Sequence, residues 1–312
     1  MYNGILNIYK EKGFTSHDVV AKLRGITHQK KIGHTGTLDP DAEGVLPVCL
    51  GSATKLCELL TDKDKTYEAV LLLGITTDTQ DVSGTVLERK EVNVSEKQVR
   101  EVIGGFVGIY GQIPPMYSAV RKNGKKLYEL ARAGVTVERE ARMVTIHQIR
   151  ILDMHLPRVT MEVECARGTY IRTLCEDIGV KLGCGGCMES LLRTKSGSFL
   201  LEDSLKLEEA GRLQEEGNLQ SVVMPTDCFF SELPAVHMKP EGDKPVHNGN
   251  PFAAGLTADS ASGAGDRADG VYISGMHRGE VRVYDSEKCF IGVYRYDGKK
   301  HQYFPVKMFP TL

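Results

Sequence analysis

Two alternating runs on either side of a single proline constrain this chain more than any other feature. "RMVTIHQIRILDMHL" (142–156) and "RVTMEVECA" (158–166) place apolar and polar residues in turn, with Pro157 between them. A period of two buries one face of a strand, and two such runs joined by a short turn pair as an antiparallel hairpin. The other strand signals are "ILNIY" (5–9), "VLPVCLG" (45–51), "KTYEAVLLLG" (65–74) and "TVLER" (85–89). Pro47 suggests an edge or a bulge in the second of these, because proline cannot donate to a ladder.

Helical signals fall between the strands. "TSHDVVAKLRGI" opens on Thr15 or Ser16 as N-cap and spaces Val19, Val20 and Leu23 on one face. "SATKLCELL" (52–60) is a short helix, "SEKQVREVIGGF" has Ser95 as its cap, and "TYIRTLCEDIGVKLG" runs to a stop at Gly183. The alternation lacks a regular βαβ rhythm. It predicts an α+β fold with a mixed, mainly antiparallel sheet flanked by helices.

A boundary is expected near 231–250, where "MKPEGDKPVHNGNP" is rich in turn formers. It divides the chain into 1–230 and 231–312. Beyond it, "GVYISG", "EVRVYD", "CFIGVYRYD" and "QYFPVKMF" are short strands split by turns, the pattern of a small β-barrel. "LTADSASGAGDRADG" (256–270) is low in complexity and reads as a mobile loop within it.

Of 312 residues, 41% are hydrophobic and 26% charged, so a core of ordinary size can form without staples. No apolar run reaches the length of a membrane span, and no signal-peptide pattern opens the chain, so a cytoplasmic protein is expected. Cys184 and Cys187 form a lone C-x-x-C among eight cysteines; a zinc site would need a second pair, and inert thiols are expected.

The net charge of −2 alone argues against a nucleic-acid partner, but the distribution does not. Residues 117–150 hold eight Lys/Arg against three Glu, while 201–220 hold six acids against two bases. Such segregation can hide a basic face inside a neutral sum. A solvated helix of mixed charge would give the same pattern.

"GHTGTLDPDAEG" (33–44) carries a histidine, three carboxylates and three glycines with almost nothing to bury. Asp39 precedes Pro40, which restricts its backbone to extended conformations. Flanking glycines allow close approach of a ligand. A carboxylate presented this way can act as a nucleophile or a base. Asp-Pro is also a common turn starter, so the loop alone leaves both readings open.

The loop resembles the signature of the bacterial TruB family of tRNA pseudouridine synthases, G-H-x-G-x-L-D-P followed by x-A-x-G. It stands here as Gly33-His34-Thr35-Gly36-Thr37-Leu38-Asp39-Pro40, then Ala42 and Gly44. "DKTYEAVLLLGITTDTQDVSG" (64–84), "QIPPMYSAVRKNGKKLYELARAG" (112–134) and "CARGTYIRTLCEDIGVKLGC" (165–184) resemble further family blocks in the same order. The resemblance covers about residues 1–230. Two departures stand out: Lys10-Glu11-Lys12-Gly13 replaces the usual K-P-x-G, and Arg121 stands where lysine is commoner.

The resemblance implies a pseudouridine synthase fold with a small C-terminal PUA-like barrel for RNA binding. It implies isomerisation of uridine 55 in the T-loop of tRNA, without guide RNA, cofactor or metal. The partner is then the tRNA T-arm, with no membrane, and the protein a monomer. Asp39 matches the catalytic aspartate, Arg172 the ion-pair partner that keeps it charged, and Tyr67 and Tyr170 the aromatic site positions. Tyr67 would stack on uracil and take part in proton transfer. Leu191 matches an apolar contact to the base, with Arg193 close by. His34 would prop the gap left by the flipped nucleotide, which costs a few kcal/mol to extrude. Arg121, Lys122, Lys125 and Lys126 would bind phosphates.

For Arg172 the residues alone leave a plainer partner open, Glu176 one helical turn on. His28, His147 and His155 fit no motif. Two rival functions remain at this stage. One is a guide-RNA-dependent enzyme of the same fold, which would usually carry long Lys-rich extensions. The other is a tRNA-folding chaperone without essential chemistry. Conversion of a bare T-arm hairpin by the purified chain alone discriminates a stand-alone enzyme from both, although activity would not exclude chaperoning as well.

Overall fold

A computed structural model describes residues 1–122, 124–258 and 279–309. The chain begins with β1 (Gly4–Lys10) and α1 (Ser16–Thr27), followed by β2 (Ile32–His34) and β3 (Glu43–Leu50). Thr15 caps α1 in a full capping box: its side chain accepts from the Asp18 amide, and the Asp18 carboxylate accepts from the Thr15 amide. The predicted helix at 52–60 is a 3₁₀ turn (Gly51–Leu56) leading into α2 (Cys57–Thr61).

Next come β4 (Lys65–Leu73), β5 (Ile75–Thr77), β6 (Val86–Arg89), α3 (Glu96–Gly104) and β7 (Gly108–Gln112). The basic segment forms β8 (Arg121–Lys122), β9 (Lys125–Lys126) and α4 (Leu127–Arg132). β10 (Arg142–His155) and β11 (Arg158–Cys165) are the long antiparallel hairpin. α5 (Ile171–Leu182), β12 (Gly186–Ser196), β13 (Phe199–Leu200) and α6 (Leu207–Glu215) follow. Gly183 ends α5 with φ of 79°, a left-handed cap that costs glycine nothing.

The first sheet has the order β1-β3-β12-β4-β11-β10-β7, with β2 added to β3 and β13 to β12. It is antiparallel except where β12 meets β3 in parallel at Leu192↔Glu43 and Arg193↔Gly44. The sheet is therefore mixed and mainly antiparallel. One core packs α3 and α5 onto β4, β11 and β12 through residues such as Leu71, Met161, Ile103 and Leu174. A second packs α1 and α6 against β1 and β3 through Leu6, Ile8, Leu23, Leu46 and Ala210. β5 and β6 pair only with each other, so "TVLER" extends no part of the large sheet.

Pro47 does not mark an edge. β3 lies inside the sheet, between β1 on one side and β2 and β12 on the other. The Pro47 carbonyl accepts from the Thr35 amide at 3.0 Å, so the proline nitrogen faces the same way. It therefore faces Thr35, the residue just past the end of β2, and proline forgoes only the single return bond to it.

The second sheet has the order β14-β16-β17-β18-β15: β14 (Ala235–His237), β15 (Phe252–Ala253), β16 (Glu280–Tyr284), β17 (Phe290–Asp297) and β18 (Gln302–Met308). Its twisted five strands form the PUA-like half-barrel. The turn-rich stretch read as a boundary contains α7 (Pro240–His247). Proline is favoured in a first helical turn, so Pro240 starts the helix instead of preventing it. "GVYISG" and residues 259–270 of the low-complexity stretch lie outside the described residues. A third core joins the sheets: Val293 and Phe309 pack with Ile5, Val45, Leu56 and Phe230.

Candidate active site

The loop between β2 and β3 is fixed from below before it presents anything. The Leu38 amide donates to Ser16 Oγ at 2.9 Å, and the Gly13 amide donates to the Pro40 carbonyl at 2.9 Å. Lys10 is fully buried, and its ammonium donates to the carbonyls of Glu11, Phe14 and Pro40 at 3.1, 2.6 and 3.1 Å. The lysine thus ties the N-terminal turn to the residue after Asp39, although that turn lacks the usual proline. Burial lowers the Lys10 pKa to about 8, against the pull of Glu43, Asp39 and Asp41.

The far end of the loop is equally tight. Gly44 has φ of 103°, and a side chain there would come within 2.3 Å of the Arg193 carbonyl, so only glycine lets β3 approach β12.

Asp39 lines a cleft of roughly 1210 Å³. The cleft is also lined by Tyr67 from β4, Asp81, Tyr170 and Arg172 around the start of α5, and Leu191 and Arg193 from β12. Arg172 is 6% exposed. Its Nε lies 3.1 Å from Asp39 Oδ2, its Nη1 lies 3.4 Å from Asp81 Oδ2, and it donates to the carbonyls of Thr79 and Tyr117 at 3.2 and 2.8 Å. A cation in a first helical turn opposes the helix dipole. Two carboxylates offset that here. Glu176 is not the partner; it accepts a hydrogen bond from Gln80 Nε2, and Thr173 Oγ1 donates to Gln80 Oε1 at 2.7 Å.

The Asp39 side chain keeps 40% of its surface open to the cleft. Desolvation by the cleft walls raises its pKa, Arg172 opposes that rise, and Asp81 reinforces it. Burial also raises the phenol pKa values of Tyr67 and Tyr170. Both side chains are therefore neutral near pH 7. The main chain of Tyr170 is clamped by the buried Gln112, which accepts from its amide at 2.8 Å and donates to its carbonyl at 3.0 Å. Leu191 is 9% exposed and belongs to both the core and the cleft wall.

Other residues singled out in the sequence stand apart from this group. His34 is half-buried beside the cleft, its ring edge-on to His17 with centroids 5.6 Å apart. Burial, then the charges of His17 and Arg193, lower its pKa. Arg121, Lys122, Lys125 and Lys126 lie on the β8–β9 hairpin and do not line the cleft. Lys122 donates to the Glu138 carbonyl, and Lys126 sits over the Tyr128 ring at 5.3 Å. Asp41 is exposed at the rim, and Glu43 accepts from the Tyr9 hydroxyl at 3.0 Å. Cys184 and Cys187 are buried free thiols. Among the described residues no three His, Cys, Asp or Glu side chains converge on one point.

Sequence reasoning passed over Asp81, although it lies in the quoted stretch 64–84. No local pattern marks it; it meets Arg172 across 91 positions. Arg193 was noted only for its nearness. Its spacing of two from Leu191 in a strand is a signal that both face the same way.

Residues 24–171 match the model of the TruB family pseudouridylate synthase N-terminal domain, and residues 172–231 that of the tRNA pseudouridylate synthase B C-terminal domain. The tRNA pseudouridine synthase B of Lachnoclostridium phytofermentans is 54% identical over 316 residues, covering 98% of this chain and 99% of the relative. This chain belongs to the TruB family. A second TruB relative, the tRNA pseudouridine synthase B of Staphylococcus aureus strain MRSA252, is 48% identical over 261 residues, covering 81% and 86% of the two chains. Among solved structures, one of a Cbf5–Nop10–Gar1 complex aligns with TM-score 0.67 and 27% identity over 99% of this chain and 87% of that one. An H/ACA RNP bound to a substrate RNA containing 2′-deoxyuridine aligns with TM-score 0.66 at 24% identity, over 98% and 84%, a likeness of fold. Among the described residues of this TruB protein, no helix is long and apolar enough to cross a membrane.

Proposed function

We propose that this chain isomerises uridine 55 in the T-loop of tRNA to pseudouridine, as a cytoplasmic monomer and without a guide RNA. The observation that carries the reading is the Asp39 carboxylate, open to the cleft yet ion-paired at 3.1 Å with a buried arginine. Curated relatives at 45–54% identity that bear the name tRNA pseudouridine synthase B support the substrate class.

The reaction exchanges one bond for another. The C1′–N1 bond breaks, the base turns over, a C1′–C5 bond forms, the C5 proton leaves and N1 gains one. Asp39 supplies the carboxylate that starts cleavage, and Arg172 keeps it charged and aimed. Tyr67 packs on the flipped base and carries a hydroxyl for the proton steps. Tyr170 and Leu191 complete an apolar wall around the ring. His34 fills the gap left in the T-loop. Arg121, Lys122, Lys125 and Lys126 hold phosphates outside the cleft. Residues 1–230 do the chemistry, and 231–312 bind parts of the tRNA beyond the T-loop.

The test is conversion of a bare, unmodified T-arm hairpin by the purified chain. The expected result is stoichiometric pseudouridine at position 55. The Asp39→Asn protein should convert none while binding tRNA within about tenfold of wild type, because phosphate contacts dominate affinity. Conversion by a clean Asp39→Asn preparation would refute the assignment.

A further inference from the structure

Arg193 is 1% exposed, one of the largest fully buried side chains, yet among the described residues it forms no ion pair. A buried cation without a counter-charge is costly, and a hydrocarbon of similar shape would fasten two strands at less cost. Its position explains what the charge does. Nε donates to the Val45 carbonyl at 2.6 Å and Nη2 to the Gly36 carbonyl at 3.3 Å, so one guanidinium holds the entry and exit of the Asp39 loop. In the β12–β4 ladder Arg193 stands directly opposite Tyr67. Residues opposite one another in an antiparallel ladder carry their side chains on the same face, so the guanidinium and the Tyr67 phenol are neighbours, and Arg193 pulls against the rise that burial imposes on the phenol pKa.

The direction of that contact is not free. Guanidinium has five N–H donors and no lone pair to offer. The tyrosine oxygen can therefore only accept from Arg193, and its own hydrogen points elsewhere. We infer that Arg193 is a positioning residue: it locks the Asp39 loop to Tyr67 and leaves the Tyr67 hydroxyl as a hydrogen-bond donor to the substrate base. This rests on the proposed isomerisation. When C1′–N1 breaks, the electron pair stays with the base and spreads onto its carbonyl oxygens. A phenol held against a buried cation is polarised to donate to such an oxygen.

The experiment is a double-mutant cycle of Arg193→Lys and Tyr67→Phe, read by single-turnover conversion of the T-arm hairpin and by thermal melting. Arg193→Lys keeps the charge but not the fork. It should slow conversion about tenfold or more in the wild-type background and clearly less, about threefold, against the slow residual turnover of the Tyr67→Phe background, because part of its effect runs through the hydroxyl and part through the Asp39 loop. Equal slowing in both backgrounds would mean that Arg193 is only a strand fastener, and the inference falls. The melting cycle stands whatever the activity. The losses in melting temperature should be smaller together than summed, and strict additivity overturns the contact. An inactive wild type with a non-additive melting cycle would refute the proposed reaction while supporting the Arg193–Tyr67 contact.

Discussion

Replacing Arg172 by methionine tests the electrostatics of the site most directly. The side chain is 7% exposed, and its pair with Asp39 spans 3.1 Å. Breaking a buried ion pair costs about 3–5 kcal/mol. Asp39 keeps 40% of its side chain open to the cleft, so solvent screens part of that and about 2–3 kcal/mol is the better figure. If that energy is spent on holding a charged, aimed carboxylate, the rate should fall about 30- to 150-fold. The pH profile carries the stronger signature. Burial already raises the Asp39 pKa, and Arg172 is the largest influence opposing it. Without the arginine the pKa climbs further, so less Asp39 is ionised at neutral pH. The acid limb of the single-turnover profile should move to higher pH, and part of the lost rate should return as pH rises.

Arg172→Lys is the control. An ammonium keeps the charge, so the acid limb should stay near wild type. With three donors it cannot serve Asp39, Asp81 and the carbonyls of Thr79 and Tyr117 together, so some rate is still lost. If Arg172→Met leaves the acid limb unmoved and weakens only tRNA affinity, Arg172 holds RNA and the argument about Asp39 is wrong.

Three further outcomes follow from the geometry. Tyr67→Phe should bind tRNA nearly normally and convert only slowly, held up before C5 loses its proton, whereas Tyr67→Leu should also lose a stacking contact of about 1–3 kcal/mol; tritium release from C5 at the wild-type rate by Tyr67→Phe would make Tyr67 a platform alone. The Lys10 pKa of about 8 lies below its ordinary 10.5, so the unfolded chain binds more protons between those values and this group adds stability as pH rises through that window, while loss of the ammonium loosens Pro40; melting temperature and activity should part company above pH 8, and Lys10→Met should abolish the divergence. Truncation after Leu233 strips Phe290, Val293 and Phe309 from a core shared with Ile5, Val45 and Leu56, so the truncated chain should melt lower than the full chain; an unchanged melting temperature would show that the first sheet stands alone.

What was legible in the sequence was local. The capping box of Thr15 and Asp18 spans three positions, and the 142–165 hairpin shows its period directly. Asp39 drew attention because proline and glycines surround it. What was illegible was contact made at a distance. Arg172 had a plausible neighbour in Glu176; the family resemblance implied Asp39 instead, and the fold brings Asp39 to it across 133 positions while Gln80 occupies Glu176. Pro47 misled because it meets β2 just past that strand's last residue, His34, where proline costs one ladder bond and leaves the pairing on its other side, with β1, intact. The helix within 238–251 was illegible because turn formers dominate the stretch, although Pro240 falls where a helix accepts proline.

The neutral sum of charge misleads for a related reason. Lys10, Lys65 and Arg193 are buried beneath or beside the cleft, and main-chain carbonyls hold all three: Pro40 and Phe14 for Lys10, Thr61 for Lys65, Val45 and Gly36 for Arg193. A carbonyl cage satisfies the donors of a cation but leaves its charge in place. Burial costs these groups, as the lowering of Lys65 to about 8 records. Six acids on residues 201–220 balance them in the sum, but α6, which carries several, packs beside α1 and does not line the cleft. Field from a cation reaches furthest through low-dielectric walls into a cleft, and least from an exposed side chain into saline. A chain of net charge −2 can therefore hold a polyanion where its buried cations converge. Such binding should depend less steeply on salt than the full count of cations around the cleft and the β8–β9 hairpin implies, because counterions condensed on the RNA are released by contacts and not by charge buried beneath them.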